Sequence, residues 1–220
     1  MFRRLEGAST TLSIEDVRGR LADGLEGIDD EVIEAFAQVL PMDDYLPLLL
    51  SVTPSLTTPM RDGDYFGEEQ VSTWGLDCFW GLPQYPSTPD YRTFTAPVRQ
   101  DAHLFAFVVP MVPPTWDDPA TVQEYSRLLE ASDRPTAVAV STLDLCQPAM
   151  SGQSTDYHEH WCLTHFLLDG HHKMHAAAVT GRPLRLLCLV GLDAGLAGAQ
   201  ELATLPALRA QAPAPRRSPS

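Results

Sequence analysis

One segment of this chain, Asp169-Gly-His-His-Lys173, has residue types and spacing that predict chemistry. A short apolar run precedes it and suits a buried strand. Gly170 permits both a tight turn and the close approach of a ligand to the backbone, and Asp169 can cap a helix that begins near His171. Because a helix N-terminus directs free N–H groups outward and favours negative charge, the segment predicts an anion-binding site.

Lys173 strengthens the prediction of a phosphate ligand. It is the only lysine among 15 basic residues, and the others are arginines. A cation is intrinsically unfavourable at a helix N-terminus, whereas a compact ammonium can reach a phosphate group. We therefore expect Gly170, His171, His172 and Lys173 to bind a small-molecule phosphate compound. The alternative is that the position of the single lysine is an accident.

The strand, loop, helix, glycine and second strand between 160 and 190 resemble the phosphate-binding segment of the ParB/sulfiredoxin superfamily. In that superfamily a glycine followed by a short polar and basic cluster opens a helix and holds nucleotide phosphates. By position, Gly170 matches the loop glycine, and His172 and Lys173 match the basic pair. The resemblance implies ATP or another nucleotide with Mg²⁺ as the cofactor. Sulfiredoxins carry a reactive cysteine where this chain has His171, so the resemblance does not imply sulfinic acid reduction.

Turnover of a nucleotide requires carboxylates that hold magnesium and activate a nucleophile. Asp144 lies towards the end of a strong predicted strand and Asp169 begins the loop, so the catalytic candidates are His172, Asp169 and Asp144. A helix cap for Asp169 and a turn cap for Asp144 are the structural alternatives. No Gly-x-Ser-x-Gly elbow surrounds Ser141, so a hydrolase triad is not predicted.

Histidines are concentrated in the same region, with six of the seven between 158 and 175. In a strand, His158 and His160 share one face and His165 points to the other. Together with His175 on the following helix, His158 and His160 could form a Zn²⁺ site. The alternative is that the histidines donate hydrogen bonds around an anion or lie at a polar strand edge.

The flanking elements predict an α+β or α/β fold, in which a mixed sheet with a ParB/sulfiredoxin-like strand–loop–helix–strand core follows short acidic helices. We expect strands over 71–80, 91–98, 103–111, 136–146, 165–168 (158–168 if the histidine-rich stretch joins the same strand) and 184–190, and helices from residue 13, over 29–40 and over 120–132. Residues 45–52 are apolar but contain Pro47, so their type stays open.

These elements suggest three parts of the chain. We expect an acidic helical extension over 1–52 and an α/β core with the phosphate loop over 70–192. A C-terminal segment over 193–220 follows, and its tail is expected to be disordered from about 211 because it is rich in proline and low in complexity.

The composition argues against several classes of protein. The net charge of −14 repels a nucleic-acid backbone, so nucleic-acid binding is not expected. The chain has no run of 18 apolar residues and no secretory signal, so we expect no membrane partner and a cytoplasmic location. None of the four cysteines forms a CxxC pair, and Cys146 and Cys188 lie in apolar runs, where a free cysteine behaves as a small hydrophobe.

Three functions remain open from the sequence. The first is a nucleotide- or phosphometabolite-binding enzyme, such as a small-molecule kinase or a nucleotidase, with its site at Asp169-Gly-His-His-Lys173. The second is a non-catalytic ligand-binding or regulatory protein of the same fold. The third is a metal-dependent enzyme that uses the histidines between 158 and 175.

Overall fold

The computed structural model of the protein describes residues 1–6, 11–57, 89–146 and 159–211. These residues form one sheet of eight strands, which are β1 (Arg3–Leu5), β2 (Asp43–Val52), β3 (Ser55–Leu56), β4 (Tyr91–Arg99), β5 (Ala102–Pro110), β6 (Thr136–Cys146), β7 (Glu159–Asp169) and β8 (Leu184–Gly191). The five α-helices among them are α1 (Ile14–Asp23), α2 (Asp30–Ala37), α3 (Pro119–Glu130), α4 (His171–Thr180) and α5 (Ala199–Arg209). A short 3-10 helix spans Pro114–Trp116.

The sheet is mixed, with the strand order β1-β2-β8-β6-β7-β5-β4-β3. β6 pairs in parallel with β8, and β5 pairs in parallel with β7. The other neighbouring strands are antiparallel. Five helices and a mixed eight-stranded sheet confirm the predicted α+β class. Strands β4, β5, β6 and β8 lie within one or two residues of the ranges that hydrophobic patterning indicated, whereas β7 begins six residues before the apolar run 165–168 and includes the histidine-rich stretch from Glu159.

The sheet curls until its two edges approach each other. β2 is second from one edge and β3 forms the other edge, yet only Thr53 and Pro54 separate them in the chain. In a flat sheet these strands would lie about 29 Å apart, because neighbouring strands are spaced by about 4.8 Å. The three Cα–Cα steps from β2 to β3 span at most about 11 Å. The sheet is therefore barrel-like, and β2 runs directly into β3.

The concave inner face of the curled sheet carries the main core. Every second residue of a strand points to the same face, and the inward residues of six strands belong to one apolar cluster. Representatives, one from each strand, are Leu48, Phe94, Leu104, Leu143, Leu163 and Leu186. α5 contacts both β2 and β4, which are five positions apart in the strand order, as a curled sheet requires.

Different helices close the two ends of the curled sheet. β5 and β7 finish where β6 and β8 begin, so the connections through α3 and α4 lie at one end, here named the α4 end. β8 finishes at the opposite end, where α5 follows, and this is named the α5 end. α1 and α2 instead cover the outer face, where Leu21 and Ile33 pack against Val138 and Leu187.

Residues 1–52 contain two strands as well as the two expected helices. The stretch whose type the sequence left open is β2, which pairs with β8 from Tyr45 to Val52. β1 pairs with β2 only as far as Tyr45, so one edge of β2 has no described neighbour beyond that residue. Proline is tolerated in a strand with an open edge, which explains how Pro47 is accommodated.

The expected starts of α1, α2 and α3 are confirmed to within one residue, but Asp169 does not cap α4 as expected, because Gly170 is the N-cap residue and the Asp169 carboxylate accepts from Lys173. Ser13 forms a capping box with Asp16 at the start of α1, and Asp29 caps α2. α2 ends at Ala37, earlier than the expected end at residue 40. Asp118 caps α3, and Pro119 follows at the first position of the helix, where proline is favoured.

The C-terminal segment contains a helix that we did not expect from the sequence. α5 has Pro206 in its interior and buries Leu202, Leu205 and Leu208 in the main core. These three leucines are spaced by three residues, which is a helical signal, but the proline obscured it. The strand expected over 71–80 and the tail beyond 211 lie outside the described residues.

Among the described residues, no helix is long and apolar enough to cross a membrane. The longest, α3, has 12 residues, whereas a membrane-spanning helix needs about 20.

Candidate functional site

The Asp169-Gly-His-His-Lys173 segment joins β7 to α4 at the α4 end. Gly170 is the N-cap residue of α4 and has a φ of 92°, which glycine adopts without strain. A Cβ at this position would lie 2.8 Å from the Cβ of Ala137 on β6. The expected tight turn is present. The space that a side chain at Gly170 would take is filled by Ala137 and not left to a ligand.

Lys173 points into the protein and is 5% exposed. Its Nζ donates to the carbonyl of Thr136 at 2.9 Å and to the carboxylate of Asp169 at 3.2 Å, and lies 3.5 Å from the carbonyl of Leu21. Burial lowers the pKa of Lys173, and Asp169 acts in the opposite direction. An ammonium has three N–H donors, and the three acceptors use them. Lys173 thus fastens α4 to β6 and α1 and keeps no donor for a phosphate.

The loop over 111–118, between β5 and α3, lies against the first turn of α4. The backbone N–H of Met111 donates to Nε2 of His171 at 3.2 Å, and that of Asp118 donates to Nε2 of His172 at 3.0 Å. A ring nitrogen that accepts a hydrogen bond carries no proton, so this network assigns both imidazoles as neutral with Nδ1 protonated. Burial lowers the pKa of His171, which favours its neutral form. Both imidazoles hold the loop.

Asp117 links the same loop to the second turn of α4. Its Oδ2 lies 2.8 Å from Nδ1 of His175, and its Oδ1 lies 3.8 Å from Nε2 of His172. The side chain of Asp117 is only 5% exposed, so the imidazole of His175 is a needed partner for a buried carboxylate. Asp117 was not among the predicted site residues, because its position before a helix indicated only a cap.

The three catalytic candidates are not brought together. Asp144 pairs in register with Cys162, which lies seven residues before Asp169 on β7, so the two aspartates are roughly 20 Å apart along the strands. At the α5 end, Asp144 accepts hydrogen bonds from Thr142 and from the N–H of Leu196, which is a turn-capping role. Asp169 and His172 are close in the chain, but Asp169 is bonded to Lys173. No shared magnesium site follows from this arrangement.

The predicted zinc ligands are also separated. His158 lies outside the described residues, His160 lies at the α5 end of β7, and His175 lies on α4 at the other end. Burial and the neighbouring His103 lower the pKa of His160 to about 4. Within 1–6, 11–57, 89–146 and 159–211, no cluster of three or more histidine, cysteine or acidic side chains has the geometry of a metal site.

The N-terminus of α4 differs from those of the other described helices. Side chains cap α1, α2 and α3, and Glu201 bonds back to the N–H of Gly198 at the start of α5. Gly170 has no side chain to cap α4, and the first turn of α4 contains no acidic residue. The first N–H groups of a helix have no intrahelical partner. α4 therefore presents main-chain donors that no side chain caps.

A second polar cluster, formed by His165, Ser141, Cys188 and Arg209, lies inside the curled sheet. Ser141 and His165 face each other on β6 and β7, with Oγ and Nδ1 2.7 Å apart, and neither is exposed. The Cys188 thiol on β8 is also fully buried and interacts with Ser141. From the end of α5, the Arg209 guanidinium lies over the ring of Phe94, 4.0 Å from its centroid. Four elements thus place polar groups in an apolar core.

Several polar atoms of this interior cluster lack partners. In the part of the chain that the structure describes, Nε2 of His165 and both Nε and Nη1 of Arg209 are buried without a hydrogen bond. Burial and the charge of Arg209 lower the pKa of His165 to about 3, so this imidazole is neutral. Burial lowers the pKa of Arg209 to about 10, so the guanidinium stays charged at neutral pH.

The sequence contains a signal for the interior cluster in the alternation of two strands. His165 alternates with Leu163 and Leu167 on β7, so it is a polar residue on the apolar phase of a strand. Ser141 occupies the same phase between Ala139 and Leu143 on β6. The prediction that His165 points away from the face of His160 holds, since His160 packs beside Phe105 outside the main core.

Comparison with known proteins gives no relative for this arrangement. No family model, no curated protein and no solved structure matches the chain.

Proposed function

We propose that the protein is a non-catalytic binding protein for a small phosphate-bearing ligand, a nucleotide or a phosphometabolite, with its site at the N-terminus of α4. One observation carries this proposal. α4 is the described helix whose first turn has neither a side-chain cap nor an acidic residue, and it has His171 and His172 instead. Uncapped N–H groups and the positive end of the helix dipole favour a phosphate at such a position.

The charges around the α4 N-terminus are compatible with an anion. Three carboxylates are close, but each has a partner: Asp169 has Lys173, Asp117 has His175, and Asp118 caps α3. The protonated Nδ1 edges of His171 and His172 add neutral donors. In this proposal Lys173 acts indirectly, because it holds α4 against β6 and does not touch the ligand.

Binding without turnover fits the geometry better than phosphoryl transfer does. Phosphoryl transfer needs carboxylates that hold magnesium beside the phosphates. Asp144 lies at the α5 end, and Asp169 is occupied by Lys173. A small-molecule kinase or nucleotidase is therefore the second candidate, and product formation from a bound nucleotide would favour it.

The test is a thermal-shift panel on the full chain with ATP, ADP, CTP, GTP, pyrophosphate and phosphate, each with and without Mg²⁺. A ligand at a hundred times its Kd stabilises a fold by about 2.7 kcal/mol, so binding raises the melting temperature measurably. His172→Gln keeps an acceptor for the Asp118 N–H but removes the imidazole. We expect this variant to bind the same ligand about tenfold more weakly, a loss of about 1.4 kcal/mol.

His175→Gln is the matched control, since it makes the same substitution one turn further along α4, where the imidazole contacts Asp117. It should lower the melting temperature of the free protein but keep the ligand-induced shift. The proposal fails if no phosphate compound shifts the wild type. It also fails if His172→Gln and His175→Gln respond alike.

A further inference from the structure

Among the described residues, the interior cluster contains a charge without a counter-ion. Arg209 is cationic at neutral pH, and no described carboxylate is among the groups that shift its pKa, while its Nε and Nη1 are buried without a hydrogen bond. Burial raises the pKa of Cys188 to about 12, so the thiol is uncharged and does not neutralise Arg209. The pKa of His165, about 3, makes this imidazole neutral as well. The guanidinium is therefore the only charged group of the cluster.

The hydrogen bond between Ser141 and His165 gives the cluster a second N–H donor besides those of Arg209. When the Ser141 hydroxyl donates to Nδ1 of His165, the proton of the neutral imidazole resides on Nε2. That Nε2 is fully buried and has no partner in the described part of the chain. Arg209 is near enough to act electrostatically on this ring. The unpaired groups of the cluster are then all N–H donors, which need an acceptor.

We propose that the interior cluster is a binding site for one small monovalent anion, a halide or the carboxylate of a small organic acid, held between Nε2 of His165 and the guanidinium of Arg209. The aromatic face of Phe94 orients the guanidinium from one side. The apolar residues of the inner face surround the site, which strengthens the attraction between the anion and Arg209 because the local dielectric is low.

An anion explains the cluster better than a buried water does. A water molecule can accept and donate hydrogen bonds, so it would satisfy the polar atoms, but it leaves the charge of Arg209 without compensation. A buried charge without a partner strongly destabilises a fold. Arg209 is partly exposed while its Nε and Nη1 are buried, so this side chain connects the cluster with the protein surface.

The test uses the full chain in buffer whose only anion is bulky gluconate. Bromide or formate then replaces gluconate at constant ionic strength. We expect a saturable rise in melting temperature for the wild type and for the control Arg127→Met, which changes an exposed arginine on α3. Arg209→Met should show no saturable rise.

The difference in melting temperature between Arg209→Met and the wild type should change sign with the anion. In gluconate the variant should melt at the same temperature as the wild type or higher, because it removes an uncompensated buried charge. In saturating bromide or formate the wild type should melt at the higher temperature. An equal rise in both proteins would mean a general salt effect and would overturn the proposal.

Crystals of the wild type soaked in bromide give a test that does not depend on a variant. An anomalous peak within hydrogen-bonding distance of His165 Nε2 and Arg209 would support the anion site. A water molecule there after both a bromide soak and a formate soak would overturn it. Tighter binding of formate or acetate than of bromide would identify the natural ligand class as a carboxylate, and the reverse order would identify a halide.

Phosphate binding at the α4 end is a separate property. Arg209→Met should leave a phosphate-induced shift unchanged, and His172→Gln should leave the bromide-induced shift unchanged. The two proposals can therefore fail independently.

Discussion

The α4 N-terminus and the interior cluster are built from similar residues but differ in how their polar atoms are used. Both combine histidine with one basic side chain: two histidines with Lys173 at the α4 end, and His165 with Arg209 in the interior. At the α4 end, His171, His172 and Lys173 all have protein partners. In the interior, His165 and Arg209 keep buried nitrogen atoms without partners in the described residues.

This difference teaches that residue types alone do not identify a binding site. The Asp-Gly-His-His-Lys sequence is conspicuous, yet the side chains serve mainly to fasten a loop, a helix and a strand together. Only main-chain donors and the Nδ1 edges are left for a ligand there. The interior cluster is spread over β6, β7, β8 and α5, so no short motif reveals it, but its unpaired atoms demand a partner.

Acid should produce the largest effect, through His165 of the interior cluster and through His160, which packs outside the main core. The pKa of His165 is about 3 and that of His160 is about 4 in the folded protein, against about 6.5 when unfolded. The unfolded state binds these protons at higher pH, so stability falls as the pH drops below 6.5. At pH 4 each histidine accounts for a loss of roughly 3 kcal/mol.

Urea unfolding at several pH values between 7 and 4.5 measures this loss. The window lies mostly above the range in which carboxylates titrate, which separates the histidine effect. In His165→Gln, which keeps a partner for Ser141, the fall in stability between pH 6.5 and 4.5 should shrink by about a third to a half, because one of the three described histidines with a lowered pKa (His160, His165 and His171) is gone. An unchanged pH dependence in that variant would show that His165 is not buried as a neutral ring.

Lys173→Met should have the next largest effect, at the α4 end. The substitution removes the donors to Thr136, Asp169 and Leu21 and leaves a buried carbonyl without a partner. We expect a loss of about 2–4 kcal/mol in the free energy of unfolding, measured with urea. Asp169→Asn, which keeps an acceptor at a partly exposed position, should lose less. A stable Lys173→Met variant would return Lys173 to the list of ligand-binding residues.

Gly170→Ala should have the smallest effect and separates packing from backbone strain. Both Gly170 and Gly181 have positive φ, 92° and 63°, but only Gly170 has Ala137 in the way of a Cβ, while nothing lies within 4 Å at Gly181. We expect Gly181→Ala to cost about 1 kcal/mol and Gly170→Ala at least about 1 kcal/mol more. Equal losses in thermal or urea unfolding would mean that the turn does not pack tightly on β6.

Secondary structure was predictable from the sequence where a single pattern of hydrophobic or capping residues dominates. The strands 136–146 and 184–190 and the capped helices α1 and α3 follow from alternation, capping residues and proline positions. The sequence left the type of β2 open because Pro47 disfavours a strand. β2 accommodates this proline because its edge opposite β8 has no described neighbour beyond Tyr45. α5 was missed because Pro206 lies inside it.

At the candidate site, the sequence predicted the turn but not the contacts of its side chains. Gly170 as a turn residue followed from the sequence, because positive φ is a local property. The burial of Lys173 depends on Thr136 and Leu21, which are distant in the chain, and no local pattern encodes that contact. The wide separation of Asp144 from Asp169 follows from the antiparallel register of β6 and β7, which also needs the fold.

The direct passage from β2 into β3 has a consequence for how the protein folds. β2 pairs with β8, more than 130 residues later in the chain, while β3 pairs with β4. The ring of strands therefore cannot close on the ribosome until most of the chain has emerged. Such distant contacts are typical of slow folding, on the scale of milliseconds to seconds. We expect β2 to remain unpaired on this side until β8 has been synthesised, and α1 and α2 to dock after β8 has joined the sheet.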